Sequence, residues 1–423
     1  MTWEHRYRLR RAARTSLVLW AAVSLLAALI CAPAVRWLAR ETNLVVFGHS
    51  PEGARAVLGT LAGSMLTFLV FVLSAALIVV QLASGQLTPR VIALVLAMPG
   101  VKIALGGLTF TYAYTLSALG HVEETRSDLH VAVAIFLNLG CILLFFGFVQ
   151  QLSSGLRPGS VLFLVAEYGE WVLKQVYPLE FDPAQPETGA GPTLAAHLTR
   201  VVPFSGRAGV IMAVGVADLA RIAAEADAVV EFVPQVGDYI SRGDLLFRVS
   251  AGSRPLQDES LRGCVAVGAE RTLDQDPRFV FRILVDIANK ALSPSINDPT
   301  TAVLALDQIE HLLMALGKRR LDDGVVRDAK GTVRLTYGSP DWPDFVILAV
   351  SEIRQFGQES LQVNRRLRAM LQRLIGSLPH SRHGPLQTEL AILEKVVAKS
   401  FAHDEDRKRA SVADYQGVGG ADS

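Results

Sequence analysis

Polar and apolar positions divide the chain near residue 150. Ahead of that point, apolar runs occupy about residues 16–39, 57–81, 103–119 and 131–150, and none carries a charge at its centre. A helix needs roughly 20 such residues to cross a bilayer, so each run predicts a transmembrane helix. Beyond residue 150 the pattern is that of a water-exposed fold. Val161, Leu164, Val165, Tyr168, Trp171, Val172 and Val176 recur at helical spacing. The Pro- and Gly-rich DPAQPETGAGP (182–192) marks a boundary. A compact mixture follows: a strand over 210–214, a helix over 217–226, and strands over 228–233 and 245–249.

An apolar helix is expected over 278–292, and a second one after Asn297. Asp298 suits the N-cap of that second helix and Pro299 its first turn, where a missing N–H costs nothing. Val303, Leu306, Ile309, Leu312, Leu313 and Leu316 form its buried stripe. The stretch 321–337 reads as a β-hairpin, with turns at Asp323-Gly324 and Lys330-Gly331. Helices are expected over 343–376 and 385–402, and a disordered tail over 404–423. The fold class is therefore an α-helical membrane domain of four transmembrane helices, followed by an α+β cytoplasmic domain with a small β-module and helical hairpins. Its divisions are a transmembrane domain over 1–150, a connecting helix and linker over 151–192, and the α+β domain over 193–403.

Within the second run, Thr60, Thr67, Ser74, Gln81 and Thr88 recur every seven residues, with Gly63 and Ser64 close to the same face. On a helix this is one narrow polar stripe, drifting by about 20° per heptad. Such a stripe packs helices through small residues and hydrogen bonds, or lines a wet path where several copies assemble. Packing is the simpler reading, because Ser and Thr also satisfy themselves on backbone carbonyls. Gln81, and Asn138 in the fourth run, need partners if they lie in lipid.

Charge sets the orientation. Residues 1–150 hold 11 Lys/Arg against 6 Asp/Glu, and the remainder 30 against 34, so an overall net charge of +1 hides a basic membrane part and a mildly acidic soluble part. No basic field remains to favour nucleic acid. Arg6, Arg8, Arg10, Arg11, Arg14, Arg90 and Lys102 fall on one side of the spans, against Arg36, Arg40, Arg55 and Arg126 on the other. The positive-inside rule then places both termini in the cytoplasm of a bacterial plasma-membrane protein, with the loop 121–130 outside. The five arginines, the apolar residues after them and Ala32-Pro33-Ala34 imitate a secretory signal. Proline inside that site and an apolar continuation to Ala39 favour a retained helix. Cys31, Cys141 and Cys264 are too far apart for a disulfide framework or a Cys-x-x-Cys metal site.

Candidate chemistry concentrates in two stretches. KALSPSINDPTTA (290–302) carries Ser293, Ser295, Asn297, Asp298 and Thr301, and Arg271, Asp274 and Asp276 precede it. Asp298 is accounted for as a cap, and no histidine lies in the cluster. His311 is about three turns down the second helix, where a surface or packing role suffices. There is no Walker loop, no nucleophile elbow and no Gly-rich dinucleotide motif, so neither an enzyme nor a cofactor is expected. Arg271 with Asp274 and Asp276 either binds a charged ligand or latches the helical hairpin to the β-module, and the latch is the simpler reading. FVPQVGDYISRGDLLFRV (232–249) resembles half of a biotinyl- or lipoyl-type module, but it contains no lysine to carry a swinging arm.

QLASGQLTPR (81–90), RTLDQDPRF (271–279) and ALSPSINDPTTAVLALDQI (291–309) resemble three signatures of a bacterial membrane protein family, domain of unknown function 2254. The likeness runs from the first span to the helix near residue 375. The family pattern has Gly where this chain has Ser295 and Phe where it has Thr300, so neither position is rigidly required. The resemblance implies four spans and a cytoplasmic domain, and no activity. The function expected is an oligomeric channel or transport-type protein whose cytoplasmic domain assembles or regulates it; the alternative is a membrane-anchored sensor or scaffold. Its partners are then the lipid bilayer and further copies of itself. The latch or interface residues are Arg271, Asp276, Ser293, Asn297, Asp298 and Thr301.

Overall fold

The computed structural model describes residues 2–42, 46–86, 90, 99–122, 129–155, 157–183, 198–321 and 323–419. Thr88, the run 91–98, most of the loop 121–130 and most of the linker 182–192 lie outside these. The chain forms two compact units, Arg10–Ser160 and Met1–Leu9 with Val161–Ser423.

Helix α1 (Trp3–Thr15) leads into the first unit, which consists of α2 (Leu17–Thr42), α3 (Pro51–Gln86), α4 (Pro99–Leu119) and α5 (Leu129–Gly155). Helix α2 runs unbroken through Ala32-Pro33-Ala34. Among the described residues, three segments, Leu17–Thr42, Pro51–Ile78 and Leu129–Gln151, are long and apolar enough to cross a membrane. The fourth expected span, α4, is not among them: it carries Lys102, Thr109, Thr111, Tyr112, Tyr114 and Thr115. The polarity of α4 has a structural reason: it packs against α2, α3 and α5. Leu108, Thr111, Tyr114 and Thr115 are buried there. Two apolar clusters close the bundle, with the small residues Ala28, Ala32, Ala54 and Ala134 around Leu58 and Tyr114, and the larger Met65, Val72 and Phe148 with Ala104 around Leu108.

The second unit runs α6 (Pro158–Val176), β1 (Leu198–Pro203), β2 (Gly209–Val214), α7 (Val216–Glu225), β3 (Val230–Phe232), β4 (Tyr239–Ile240), β5 (Leu245–Ser250), α8 (Asp258–Arg262) and β6 (Val265–Gly268). It continues with α9 (Pro277–Ala291), α10 (Pro299–Gly317), β7 (Val325–Arg327), β8 (Val333–Tyr337), α11 (Trp342–Phe356), α12 (Leu361–Ser377), α13 (His383–Ser400) and α14 (Asp404–Ala410). One sheet has the order β1-β5-β3-β8-β7, the other β4-β2-β6. The expected hairpin β7–β8 joins the first sheet through a parallel pairing of β8 with β3, a long-range contact. Strands β1, β4 and β6 are not expected from the sequence pattern. The two sheets and α7 enclose Ile211, Leu219, Val230, Phe247, Val249 and Leu335.

Helices α9 to α13 bury Phe281, Leu284, Leu306, Leu313, Phe345, Met370 and Leu393. The single helix expected over 343–376 is two: α11 ends at Gly357, and Ser360 caps α12 by accepting from the Val363 N–H. The tail also departs from expectation, since residues 404–419 are ordered. Ala410 is buried, the Asp414 N–H bonds the Arg365 carbonyl at 3.2 Å, and the Gln362 amide donates to the Gly417 carbonyl at 2.6 Å. Its polar composition conceals a turn built on Asp414, whose carboxylate accepts from the N–H groups of Gln416, Gly417 and Gly419 at 3.0, 2.8 and 2.7 Å.

Burial opposes ionisation of Asp414, but the three N–H bonds outweigh it and lower its pKa. A carboxyl lowered on folding contributes stability above its unfolded value and loses it as pH falls through the folded one. Hydrogen exchange at 411–419 should therefore accelerate below about pH 4, where a free aspartate protonates. Asp414→Ala should give that exchange at neutral pH, with a loss of at least about 1.5 kcal/mol of local stability.

Candidate functional site

The polar stripe of α3 is not covered by the other described helices of its unit. Thr60, Thr67, Ser74 and Gln81 are all exposed. Each hydroxyl is satisfied locally: Thr60 donates to the Ala56 carbonyl at 2.9 Å, Thr67 to Gly63 at 3.1 Å and Ser74 to Val70 at 2.9 Å. Such bonds to the residue four earlier let hydroxyls sit in an apolar setting without outside partners. Asn138 behaves differently: it is buried and donates to the Ala134 carbonyl at 2.8 Å and the Thr115 hydroxyl at 3.3 Å, fixing α5 against α4.

In the second unit Asp276 is the N-cap of α9, accepting from the Phe279 N–H at 3.0 Å. It also holds Arg271 at 2.8 Å and is almost fully buried. The turn Gln235-Val-Gly-Asp lies directly over this pair. Gly237 has φ +94°, and a Cβ there would fall 2.0 Å from an Arg271 nitrogen and 2.6 Å from an Asp276 oxygen, so only glycine fits. Gln235 accepts from Arg278 at 2.5 Å. The β-module and the first helix of the hairpin thus meet at this point, bonded by Arg278 and packed over the Arg271–Asp276 pair. Burial raises the Asp276 pKa even with the Arg271 guanidinium beside it.

The corner between α9 and α10 is a second, separate construction. Asp298 caps α10, accepting from the Thr301 N–H at 3.1 Å and its hydroxyl at 2.6 Å. The Asp298 N–H closes the corner on the Ala291 carbonyl at 2.8 Å. Ser293 donates to the Lys290 carbonyl at 2.6 Å, and Asn297 turns the chain at φ +48°, a conformation that asparagine tolerates better than most residues. The tip, residues 294–297, is exposed. Arg271 and Asp276 sit at one end of α9 and Ser293 to Thr301 at the other, roughly 22 Å apart for a fifteen-residue helix. The structure does not gather the candidates into one pocket.

A family described as a predicted membrane protein, domain of unknown function 2254, matches residues 14–373. The chain belongs to this family. An uncharacterized protein of Mycobacterium bovis and one of Mycobacterium tuberculosis are each 29% identical to it over 384 residues, covering 86% of this chain and 72% of theirs. No solved structure matches it. The family match includes the stripe, the Arg271–Asp276 latch and the corner, and excludes Trp3–Leu9 and the ordered tail.

Other features of this 2254-family protein are not legible in its sequence. Asp274, next to Arg271 and Asp276 in the chain, instead accepts from the hydroxyls of Tyr7 and Tyr168. Arg366 is buried and holds Asp307 at 2.7 Å and Glu310 at 2.6 Å, tying α12 to α10. Its signal is an arginine-rich helix, which reads equally well as a solvated face. His311 contacts Glu170 at 3.0 Å on the surface. Burial pushes the Cys264 thiol up to about 11, so it is not a ready nucleophile.

Substitutions at Asp276 separate cap from charge. Asp276→Ala should destabilise the protein by at least the ~0.5–2 kcal/mol of a lost cap. Asp276→Asn keeps an acceptor and removes a desolvated charge, so its loss should be smaller in thermal unfolding of the detergent-solubilised protein. Since folding raises this pKa, wild-type stability should increase relative to Asp276→Asn as pH falls through the folded value.

Proposed function

We propose that the protein is an oligomeric channel or transport-type protein of the plasma membrane, with α4 as a fourth span inside each subunit and both termini in the cytoplasm. The observation that carries this reading is the outward-facing stripe of α3. Packing within the subunit does not use Thr60, Thr67, Ser74 or Gln81. Among the described residues, no atom beyond the local backbone of α3 comes within 4 Å of the positions a Cβ would take on Gly59 and Gly63, so a backbone from another helix can approach closely. A second copy meeting this face would bury it, and a ring of copies would turn the polar positions towards a shared axis. The excess of arginine before the first span and at the second loop supports the orientation. The cytoplasmic unit, with its own core, then serves assembly or regulation. No cofactor enters this reading, and no catalytic step.

The test is flux. Purified protein reconstituted in liposomes should pass ions or small solutes above the level of empty vesicles, and absence of flux from assembled protein removes the channel reading in favour of a membrane-anchored sensor or scaffold. Ser74→Leu and Gln81→Leu should lower flux at least tenfold with assembly retained if they line the path. Loss of the oligomer with those substitutions would assign the stripe to packing between copies instead.

A further inference from the structure

We propose that residues Trp3–Leu9 are a strap that couples the segment leading into the first apolar helix to the cytoplasmic unit, clasped by tyrosines on Asp274. Helix α1 places Trp3 and Tyr7 one turn apart, with rings stacked at 5.5 Å and 9°. Its arginines signal only orientation; these two aromatics give it a face. Trp3 lies flat on Gly215, the residue between β2 and α7, where a Cβ would come within 2.8 Å of the indole. The Glu4 N–H donates to the Gly263 carbonyl at 3.0 Å, Arg8 donates to the Val267 carbonyl at 2.8 Å, and Arg6 pairs with Asp218 at 3.1 Å. The seat is therefore built from β2, α7 and the stretch from α8 to β6, all in the β-module.

The clasp is more specific than the seat. Tyr7 donates to one oxygen of Asp274 at 2.7 Å, and Tyr168 donates to the other at 3.1 Å. Thr272 lies 3.4 Å from the Tyr7 hydroxyl and donates to the Met212 carbonyl at 3.3 Å, and Gln275 accepts from the Val214 N–H at 2.8 Å. Arg271 to Asp276 are thus divided between two tasks: Arg271 and Asp276 hold α9, whereas Thr272, Asp274 and Gln275 hold β2 and the strap. Tyr168 belongs to α6, the helix that follows α5 in the chain, and Tyr7 belongs to the helix that precedes α2. One carboxylate joins the helix that precedes the apolar helices to the first helix after them. Hydrogen bonds to an ionised carboxylate are about twice as strong as neutral ones, which suits a contact that must carry displacement. A shift of Asp274 relative to the β-module moves Tyr7 and Tyr168 together, so the strap and α6 should loosen as one. Cleavage after Ala34 would remove the strap, so the coupling also requires α2 to be retained.

Two measurements on the full chain in membranes test this. The first is a cross-link. A Cβ built on Gly263 lies 3.3 Å from the Thr2 Cβ, close to the separation of natural disulfides. In a Cys264→Ala background, Thr2→Cys with Gly263→Cys should oxidise to an intramolecular disulfide, read by peptide mass, while either single variant should not. Absence of the cross-link in folded protein overturns the strap. The second is hydrogen exchange. Tyr7→Phe should raise exchange across residues 3–9 by about tenfold and also raise it across 162–172 on α6. An effect confined to residues 3–9 overturns the coupling and leaves a simple docked helix. Closing the disulfide should restore protection at both places in Tyr7→Phe, a rescue that a merely misfolded variant would not show.

Discussion

Hydrocarbon offers no hydrogen-bond partner, so every polar atom placed in a membrane must find one within the protein. That constraint sorts the polar residues of the apolar helices into two kinds. Thr60, Thr67 and Ser74 bond the carbonyl four residues back in α3 and can face outward. Asn138 has no such complete solution on its own helix and is turned inward, towards Thr115 of α4. Thr111 and Cys141 repeat the arrangement, with sulfur to hydroxyl at 3.1 Å. Helix α4 can then carry several polar groups, because the helices packed around it supply partners.

The second unit answers a different problem, that of joining a β-module to a helical layer without leaving buried charge unpaired. Asp276 does this by acting at once as cap and counter-ion, with the backbone of Gly237 packed over the pair. A buried ion pair of this kind is weak evidence of net stability but strongly fixes geometry, since removing one partner strands the other. Asp298 repeats the capping role without a buried arginine, which makes the SPSINDPT corner a self-contained turn. Arg366 with Asp307 and Glu310 secures α12 to α10 in the same way.

Much of this is legible in local patterns. Asp298 and Pro299 announce the start of α10, the apolar spacing gives its buried face, and the hairpin turns at Gly324 and Gly331 fall where glycine at positive φ is expected. The departures are equally physical. An unbroken helix over 343–376 overlooks Gly357 and Ser360 as stop and cap. Polar composition suggests a disordered tail, although Asp414 needs only three backbone N–H groups to order it. Proximity in the chain groups Asp274 with Arg271 and Asp276, while its partner Tyr7 lies 267 residues away.

From sequence alone come the apolar helices, the α+β character, the caps and the family, because hydropathy, periodicity and capping are properties of a few consecutive residues. Tertiary structure decides which face of α3 is left uncovered, why α4 is polar, which of three neighbouring acidic and basic residues form the latch, and where Asp274 finds its partners. These depend on which surfaces meet across hundreds of residues, and a one-dimensional pattern does not specify that meeting.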